Sequence, residues 1–373
     1  MAPLGQTVKP EFQRYIRAVM SGAAAGIAPT TLRAALSLAE PLYASATILR
    51  NRLYDAGAFA ARRLSRPVIS IGNITTGGTG KTPMVRWLSE RLRDDGHRVA
   101  ILSRGYGAPV GGAGDELLML QRLLNDPAAS KVWLRASPNR VAAGHALLAQ
   151  HPEIDVFVLD DGFQHRRAAR DLDVVLISAL EPFGFGHMLP RGLLREPLRG
   201  VRRAGAVVIT HADEVPFETL SEIERQVRRH HPGVPTYRAI HTQIGLRASS
   251  APEQPMDELS RRRFFAFCGL ANPEALDRQL SRFGQAYIGR RWFADHHDYT
   301  AADLERLTEE ARRSGAELLV TTEKDWVKVE PIAASPDRLP IWPIDMRIRF
   351  LCEDEERLLE QIRGVIPSRP TSS

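Results

Sequence analysis

An α/β fold with a mostly parallel sheet is what this sequence predicts. Two observations carry that expectation. From Pro67 onward short apolar runs alternate with helix-like stretches, and the first run leads through a glycine-rich turn straight into a helix. The runs are Val68 to Ile71, Arg98 to Leu102, Val132 to Leu134, Asp155 to Leu159, Leu172 to Ile177 and Ala206 to Ile209, and Pro83 to Asp94 and Arg140 to Gln150 read as helices between them. With 373 residues and 43% hydrophobic content the chain has room for about two domains.

The segment before Pro67 has a different texture. It is rich in Ala and Leu, with Arg17, Arg33, Arg50 and Arg52 spaced among them and prolines at 29 and 41. Two or three short amphipathic helices are expected here, either packed on the protein's own core or lying in a membrane interface with the arginines reaching headgroups. Beyond Ile209, Ala248 to Glu258 reads as a polar, proline-bearing loop. Phe264 to Cys268 is a further apolar run, a helix follows from about Pro273 to Phe283, and Thr300 with Asp303 approximates a capping box that opens another helix. "AELLVTTEKDW" supplies one more strand and turn.

Composition excludes several classes. The formal charge of +6 invites nucleic acid or an anionic surface. The positive charge is arginine scattered along the chain, however, with no basic block and no basic patch interleaved with aromatics, so no nucleic-acid partner is expected. Lysine is scarce (Lys9, Lys81, Lys131, Lys324 and Lys328), which gives weight to the one directly after Gly80. Cys268 and Cys352 match no metal or redox spacing and read as plain thiols in a reducing compartment. The N-terminus lacks the order of a cleavable signal peptide, and nowhere do about 18 apolar residues run together, so a cytoplasmic chain that does not span a membrane is expected.

The chemistry begins at "PVISIGNITTGGTGKTPMVRWLSERL", which supplies in order a strand, a tight turn, a lysine, a hydroxyl and a helix. The usual phosphate-loop spelling, G-x-x-x-x-G-K-[ST], would place glycine at position 75, where Thr75 stands. Gly77 and Gly78 can absorb the turn instead. The candidate ATP-binding residues are therefore Thr75, Thr76, Gly77, Gly78, Thr79, Gly80, Lys81 and Thr82, with backbone N–H groups around phosphate oxygens, Lys81 on the β- and γ-phosphates and Thr82 on Mg²⁺. Pro83 falls where a missing donor does no harm. Partition-type ATPases share a G-G-x-G-K-T loop but carry a lysine just before the paired glycines, where this chain has Thr76. A partition-type or assembly ATPase is the rival reading, and a binding protein with a degenerate loop is disfavoured by the intact Lys81 and Thr82.

Four further elements follow. An apolar strand ends in Asp160 and Asp161, where a nucleotide-dependent enzyme keeps the carboxylate that organises Mg²⁺. "SRGYG" from Ser103 leads through a glycine-rich stretch to Asp115 and Glu116, either a mobile hairpin or a lid that delivers a general base. "GHMLPRGLLREPLRG" places Arg191, Arg195 and Arg199 around Glu196, and arginines suit phosphate on both ATP and an anionic acceptor. "FADHHDYT" sets Asp295, His296 and His297 before a helix, and a histidine that orients a carboxylate fits this pattern better than a metal site.

With "SIGNITTGGTGKTP", "SRGYG", "DDGFQHRRAARDLDVVL", "LPRGLLREP", "FADHHDYT" and "LLVTTEKD" in this order, the chain from about Leu38 to Asp325 resembles the tetraacyldisaccharide 4'-kinase family of lipid A biosynthesis. The resemblance implies a phosphate-loop core, a second smaller α/β lobe and N-terminal amphipathic helices. It implies transfer of the γ-phosphoryl of ATP, with Mg²⁺, to the 4'-hydroxyl of a lipid-linked glucosamine disaccharide 1-phosphate at the cytoplasmic face of the inner membrane. By the same resemblance Asp115 takes the hydroxyl proton and His296 orients it, while Thr82, Asp160, Asp161 and Glu196 form the magnesium sphere. Tyr106, His165 and Arg195 then support the cleft, and the N-terminal segment attaches to the membrane surface. Composition puts a boundary near 248–258. The resemblance implies an earlier hinge near Leu172 to Ile177 with a late return, giving 1–55, 56–175, 176–340 and 341–373 as the expected divisions. Two departures stand out: Leu117 follows Glu116 where proline is common, and Arg191 stands where a small residue is common.

Overall fold

The computed structural model describes residues 10–105, 115–124, 132–248, 251–270, 273–295, 297–335 and 337–367. The chain forms two compact units, one of Ala18–His241 with Ile348–Ser373, the other of Thr242–Arg347 with Met1–Arg17.

Helix α1 (Pro10–Ser21) precedes α2 (Ile27–Asp55), a single helix of 29 residues that runs through Pro41. Two helices fall within the two or three expected, but α2 is not short, and Pro41 does not interrupt it. Proline removes one backbone bond, but contacts on both sides hold α2 to the larger unit. Glu40 accepts from the backbone N–H of Met188 at 2.7 Å, the Tyr43 hydroxyl donates to the Arg195 carbonyl at 3.1 Å, and Arg50 donates to the Gln164 carbonyl at 2.5 Å. Pro29 lies in the first turn, where no donor is needed. No residue of α2 is fully buried. Ile27, Leu38, Leu42 and Leu49 are exposed, and at 100° per residue they fall within one stripe roughly 60° wide. Among the described residues no helix is long and apolar enough to cross a membrane.

The larger unit is a parallel sheet with helices on both faces. Its elements are β1 (Val68–Asn73), α3 (Lys81–Asp94), β2 (Val99–Ser103), α4 (Asp115–Leu124), β3 (Trp133–Ala136), α5 (Arg140–Gln150), β4 (Val156–Asp160), β5 (Leu172–Ser178), β6 (Ala206–Thr210), α6 (Phe217–His230) and the first residues of β7 (Thr236–Ala248). The strand order is β7-β6-β5-β1-β4-β2-β3, every pair parallel. Strands covered on both faces read as mostly apolar runs, and every residue of β1, β2, β4, β5 and β6 is buried. Alternate residues serve opposite faces. Ile69 and Ile71 join Met84, Val85, Leu88 and Leu92 of α3 on one side, and Val68 joins Val141 and Leu147 of α5 on the other. Val207 and Ile209 pack on Leu220, Ile223 and Val227 of α6.

The smaller unit holds β8 (Ala251–Pro255), β9 (Phe264–Cys268), α7 (Glu274–Ser281), β10 (Tyr287–Trp292), α8 (Ala301–Arg313), β11 (Leu318–Thr322), α9 (Glu323–Ala333) and most of β12 (Ile341–Phe350). Its strands run parallel in the order β10-β9-β11-β12. Thr300 and Asp303 close the expected capping box on α8. The segment expected to be loop over 248–258 contains β8, antiparallel to the end of β7, and a 3₁₀ turn at Met256–Arg261. The chain then re-enters the larger unit, where α10 (Asp354–Arg363) buries Leu358, Leu359 and Ile362 against the α3 face.

The boundary between units therefore falls at Thr242, within β7, and not at 175/176. Val174 to Ser178 of β5 pair with Ala206 to Thr210 of β6, which ties the segment after 176 to the same sheet as β1. The composition-based boundary near 248–258 lay closer.

Candidate active site

Ligands in open α/β sheets bind beyond the carboxyl ends of the strands, and the candidate site is built there from β1, β4 and β6. Strand β1 ends in Asn73, which is fully buried and joins several segments. Its amide donates to the Thr79 hydroxyl at 2.9 Å, its side-chain oxygen accepts from Arg195 at 3.3 Å and its carbonyl accepts from Gln164 at 2.7 Å. The loop then leads to Gly80, at φ 81°, and to α3, which opens with Lys81 and Thr82. An ideal Cβ on Gly80 would sit 2.4 Å from Nε2 of His241, so both the backbone conformation and the space require glycine.

Thr75 needs no such freedom. It forms an antiparallel bridge with Leu194, the N–H of Thr76 donates to the Leu193 carbonyl at 2.8 Å, and the N–H of Arg195 donates to the Ile74 carbonyl at 2.8 Å. The "LPRGLLREP" segment thus pairs with the first half of the phosphate loop and holds it extended, which explains the missing glycine.

Strand β4 delivers the two aspartates. Asp161, at φ 48°, is gripped by both guanidinium nitrogens of Arg195, at 2.7 and 3.1 Å, and lies 3.8 Å from Lys81 Nζ. Burial works against its charge, but the Arg195 hydrogen bonds and the Lys81 charge outweigh it and hold the carboxyl below the usual range. Asp160 goes the other way: burial, then the neighbouring Glu116 carboxylate, push it up to about 7 despite Lys81. A buried carboxylate facing a second acid is an environment that a divalent cation relieves, so Asp160 fits a magnesium ligand. Among the described residues no group of three or more His, Cys, Asp or Glu side chains could hold a metal. Magnesium typically takes one or two protein carboxylates and completes its shell with phosphate and water.

Glu196 lies elsewhere in the network. It is 1% exposed, and its oxygens accept from Arg203 at 2.8 and 3.0 Å, Gln164 at 2.9 Å and Asn51 at 3.4 Å. The carboxylate is saturated by protein donors, an arrangement different from the magnesium contact that the resemblance implies. His165 sits in the turn after β4, where burial and the charges of Arg140, Arg170 and Arg50 hold its imidazole down to about 4 and keep it neutral.

The backbone of Asp115 opens α4, but its side chain lies outside the described residues, as do Tyr106 and His296. In the smaller unit His297 stacks on Phe293 at 4.6 Å, with Nε2 3.3 Å from Asp303, and Lys324 pairs with Asp295 at 3.0 Å. Sequence reading missed Asn73, Gln164, Arg140 and the pair His211 and His241. Arg140 donates to the Asp160 carbonyl at 3.0 Å from a fully buried position. The His211 and His241 rings lie 4.2 Å apart beside the loop, and the Thr210 hydroxyl donates to the Thr79 carbonyl at 3.1 Å. A buried Asn at a strand end was the one available signal, because Asn is depleted in strands.

Comparison with known proteins matches this geometry to one family. The family model for tetraacyldisaccharide-1-P 4'-kinase matches residues 32–366. The chain is 41% identical over 334 residues to the tetraacyldisaccharide 4'-kinase of Anaeromyxobacter dehalogenans (strain 2CP-C), covering 84% of this chain and 86% of that protein. It is 37% identical over 357 residues to the one from Geobacter sulfurreducens, covering 90% and 95%. The solved structure of LpxK from Aquifex aeolicus in complex with ATP superposes with a TM-score of 0.72 at 31% identity, covering 90% of this chain and all of that one.

Proposed function

The chain belongs to the tetraacyldisaccharide 4'-kinase family, and from that premise we propose how its own residues carry out the reaction. It is an ATP-dependent kinase that moves the γ-phosphoryl group to the 4'-hydroxyl of a lipid-linked tetraacyl disaccharide 1-phosphate, with Mg²⁺ as cofactor. The partition-type ATPase reading is not favoured.

Phosphoryl transfer demands positioning and charge neutralisation more than covalent chemistry. Backbone N–H groups in the second half of the loop, at Gly77, Gly78, Gly80, Lys81 and Thr82, cradle the phosphates, since the N–H of Thr76 is given to the Leu193 carbonyl, and Lys81 exchanges Asp161 for the β- and γ-oxygens. Mg²⁺, when bound, neutralises charge on the β- and γ-phosphates, and the residues suited to hold it are Thr82 and Asp160, with Asp161 beside them. Arg195 fixes Asp161 and, through Asn73, the loop itself. We assign Glu196 to bracing: it joins Arg203, Gln164 and Asn51 behind the loop. Asp115 takes the proton as the sugar oxygen bonds to the γ-phosphorus and the bond to the β-phosphate oxygen breaks, with His296 orienting Asp115. Tyr106 and His165 support the cleft. The stripe of Ile27, Leu38, Leu42 and Leu49 seats the enzyme peripherally on the cytoplasmic face of the inner membrane, and no nucleic acid takes part.

The single observation that carries the mechanism is the approach of Lys81 to Asp161 at the mouth of the strand, loop and helix unit. The test is transfer of label from γ-labelled ATP with Mg²⁺ to detergent-dispersed disaccharide 1-phosphate lipid. Label on the lipid, lost in Asp115→Ala, supports the assignment. Release only as free phosphate returns the ATPase reading to the front.

A further inference from the structure

Of the motifs that carry the resemblance, "LLVTTEKD" has no part in the mechanism above. It forms β11 and the first turn of α9, where Thr322 is the N-cap. The Thr322 hydroxyl accepts from the Asp325 N–H at 3.2 Å and donates to Oδ2 of Asp325 at 2.6 Å. A cap of this kind uses one oxygen of the carboxylate. The other, Oδ1, accepts from the Gly269 N–H and from the Tyr299 hydroxyl, both at 2.9 Å. One buried carboxylate thus ties α9 to the loop after β9 and to the "FADHHDYT" segment, two contacts that a cap does not call for.

The same helix grips the residues on either side of His296 in sequence. Lys324 pairs with Asp295 at 3.0 Å. Lys328, one turn further along α9, donates to the His297 carbonyl and to Asp298, each at 3.2 Å. Two of the chain's five lysines are spent on this one segment. Beneath it, an ideal Cβ on Gly269 would lie 2.9 Å from the Ala294 carbonyl oxygen and 3.4 Å from Cβ of His297, so the segment packs directly on the glycine that Asp325 holds. The Phe293 N–H donates to the Cys268 carbonyl at 2.8 Å and the His297 N–H to the Ala294 carbonyl at 3.1 Å. The rings of Phe293 and Tyr299 lie 4.6 and 4.9 Å from that of His297.

Backbone, ring and charge contacts from β9 and α9 therefore converge on the neighbours of one histidine. A side chain that orients a catalytic base needs such support, because a misplacement of about 1 Å can cost about a hundredfold in rate. We propose that Asp325, through Tyr299 and Gly269, and Lys328, through the His297 carbonyl, are positioning residues for His296. They act on the segment that carries it and touch no substrate. The proposal rests on the role given to His296 above.

The test is a double-mutant cycle on kcat. Tyr299→Phe removes one hydroxyl from the Asp325 carboxylate with no change of charge, and Lys328→Ala removes the grip on the His297 carbonyl. Both are made in wild type and in His296→Ala. In wild type each is expected to lower kcat by roughly tenfold with KM for ATP and acceptor within about twofold, and Lys328→Arg to recover part of the loss. Tyr299→Phe should also shift the pH profile of kcat in the direction that His296→Ala shifts it. In the His296→Ala background neither change should lower kcat by more than about a further twofold. Equal losses in both backgrounds overturn the proposal, and so does wild-type kcat in both single variants. Lys328, whose side chain reaches the surface, carries the cycle alone if Tyr299→Phe does not fold. Wild-type kcat in His296→Ala sinks the role of His296 itself and the proposal with it.

Discussion

Lys81 and Asp161 face each other across 3.8 Å at the mouth of the phosphate loop, with Arg195 gripping both oxygens of the same carboxylate, the one nearest Lys81 included. Lys81 thus faces a carboxylate within the protein, and on the proposed mechanism phosphate binding replaces that ion pair with another. Lys81→Ala is expected to lower kcat/KM by about a thousandfold or more while leaving the melting temperature near wild type, because Lys81 is half-buried at a mouth and not in the core. Steady-state kinetics with a parallel melt checks this, and near-normal turnover would remove Lys81 from the mechanism.

Asp115→Ala is expected to abolish transfer to the sugar hydroxyl with little change in the KM for ATP, since a base acts on the acceptor alone. His296→Ala should lower kcat by a smaller factor and shift the pH profile of kcat. A large rise in the KM for ATP in either variant would move that residue from the acceptor to the nucleotide.

Glu196 separates two roles by experiment. As a brace, its loss in Glu196→Ala leaves the half-buried Arg203 guanidinium without its partner, and breaking such a pair costs about 3–5 kcal/mol. The melting temperature should fall by several degrees while the Mg²⁺ concentration for half-maximal activity stays the same. An unchanged melt with a much higher Mg²⁺ requirement would restore the magnesium contact that the resemblance implies.

Gly80→Ala puts a methyl 2.4 Å from the His241 ring at a backbone angle of φ 81°. Overpacking of this kind typically costs about 1–3 kcal/mol, with about 1–2 kcal/mol more for the left-handed conformation. Removing the obstacle in Gly80→Ala/His241→Ala should recover part of the loss in a chemical melt. If the double variant is no more stable than the sum of the two single changes implies, His241 is not what excludes the methyl.

The same histidine makes stability depend on pH. Burial, then the adjacent His211, hold the His241 imidazole down to about 3, below its ordinary 6.5. The unfolded chain takes up a proton as pH falls through 6.5 while the folded chain does not, so stability rises with pH and is lost between about 6.5 and 3. His165, held down to about 4, acts in the same direction. His241→Gln should flatten the fall in melting temperature between pH 7 and pH 4.5, and an undiminished fall would assign the effect to other groups.

The sheet and its loop were legible because both are local: apolar runs of strand length, three glycines and Lys81 need no distant partner to be recognised. The capping box at Thr300 and Asp303 was legible for the same reason. What escaped was non-local. Pro41 stays within α2 because Glu40, Tyr43 and Arg50 reach residues more than a hundred positions away, and no window of sequence contains those partners. Thr75 tolerates the place of a glycine because Leu194 pairs with it. The boundary in β7 was hidden because a strand that passes from one unit to the next keeps the same period throughout, whereas β5 carries no sign that it pairs with β1. Glu196 has the residue type of a metal ligand, and its contacts with Arg203, Gln164 and Asn51, all distant in sequence or unmarked by any motif, could be seen only in space.

The exposed stripe of α2 has a consequence for the work of catalysis itself. Drawing an acyl chain out of a bilayer costs about 0.8 kcal/mol per CH₂, so a single chain of ten methylenes costs about 8 kcal/mol, comparable to the affinity of a micromolar ligand. An enzyme that goes to the bilayer leaves that sum unspent for every chain of its acceptor. Enzyme and acceptor then meet by lateral diffusion in a plane, and turnover follows the mole fraction of acceptor in the surface, not its concentration in the bulk. On the proposed seating of Ile27, Leu38, Leu42 and Leu49 at the bilayer, dilution of the acceptor in detergent micelles becomes a kinetic variable of the reaction.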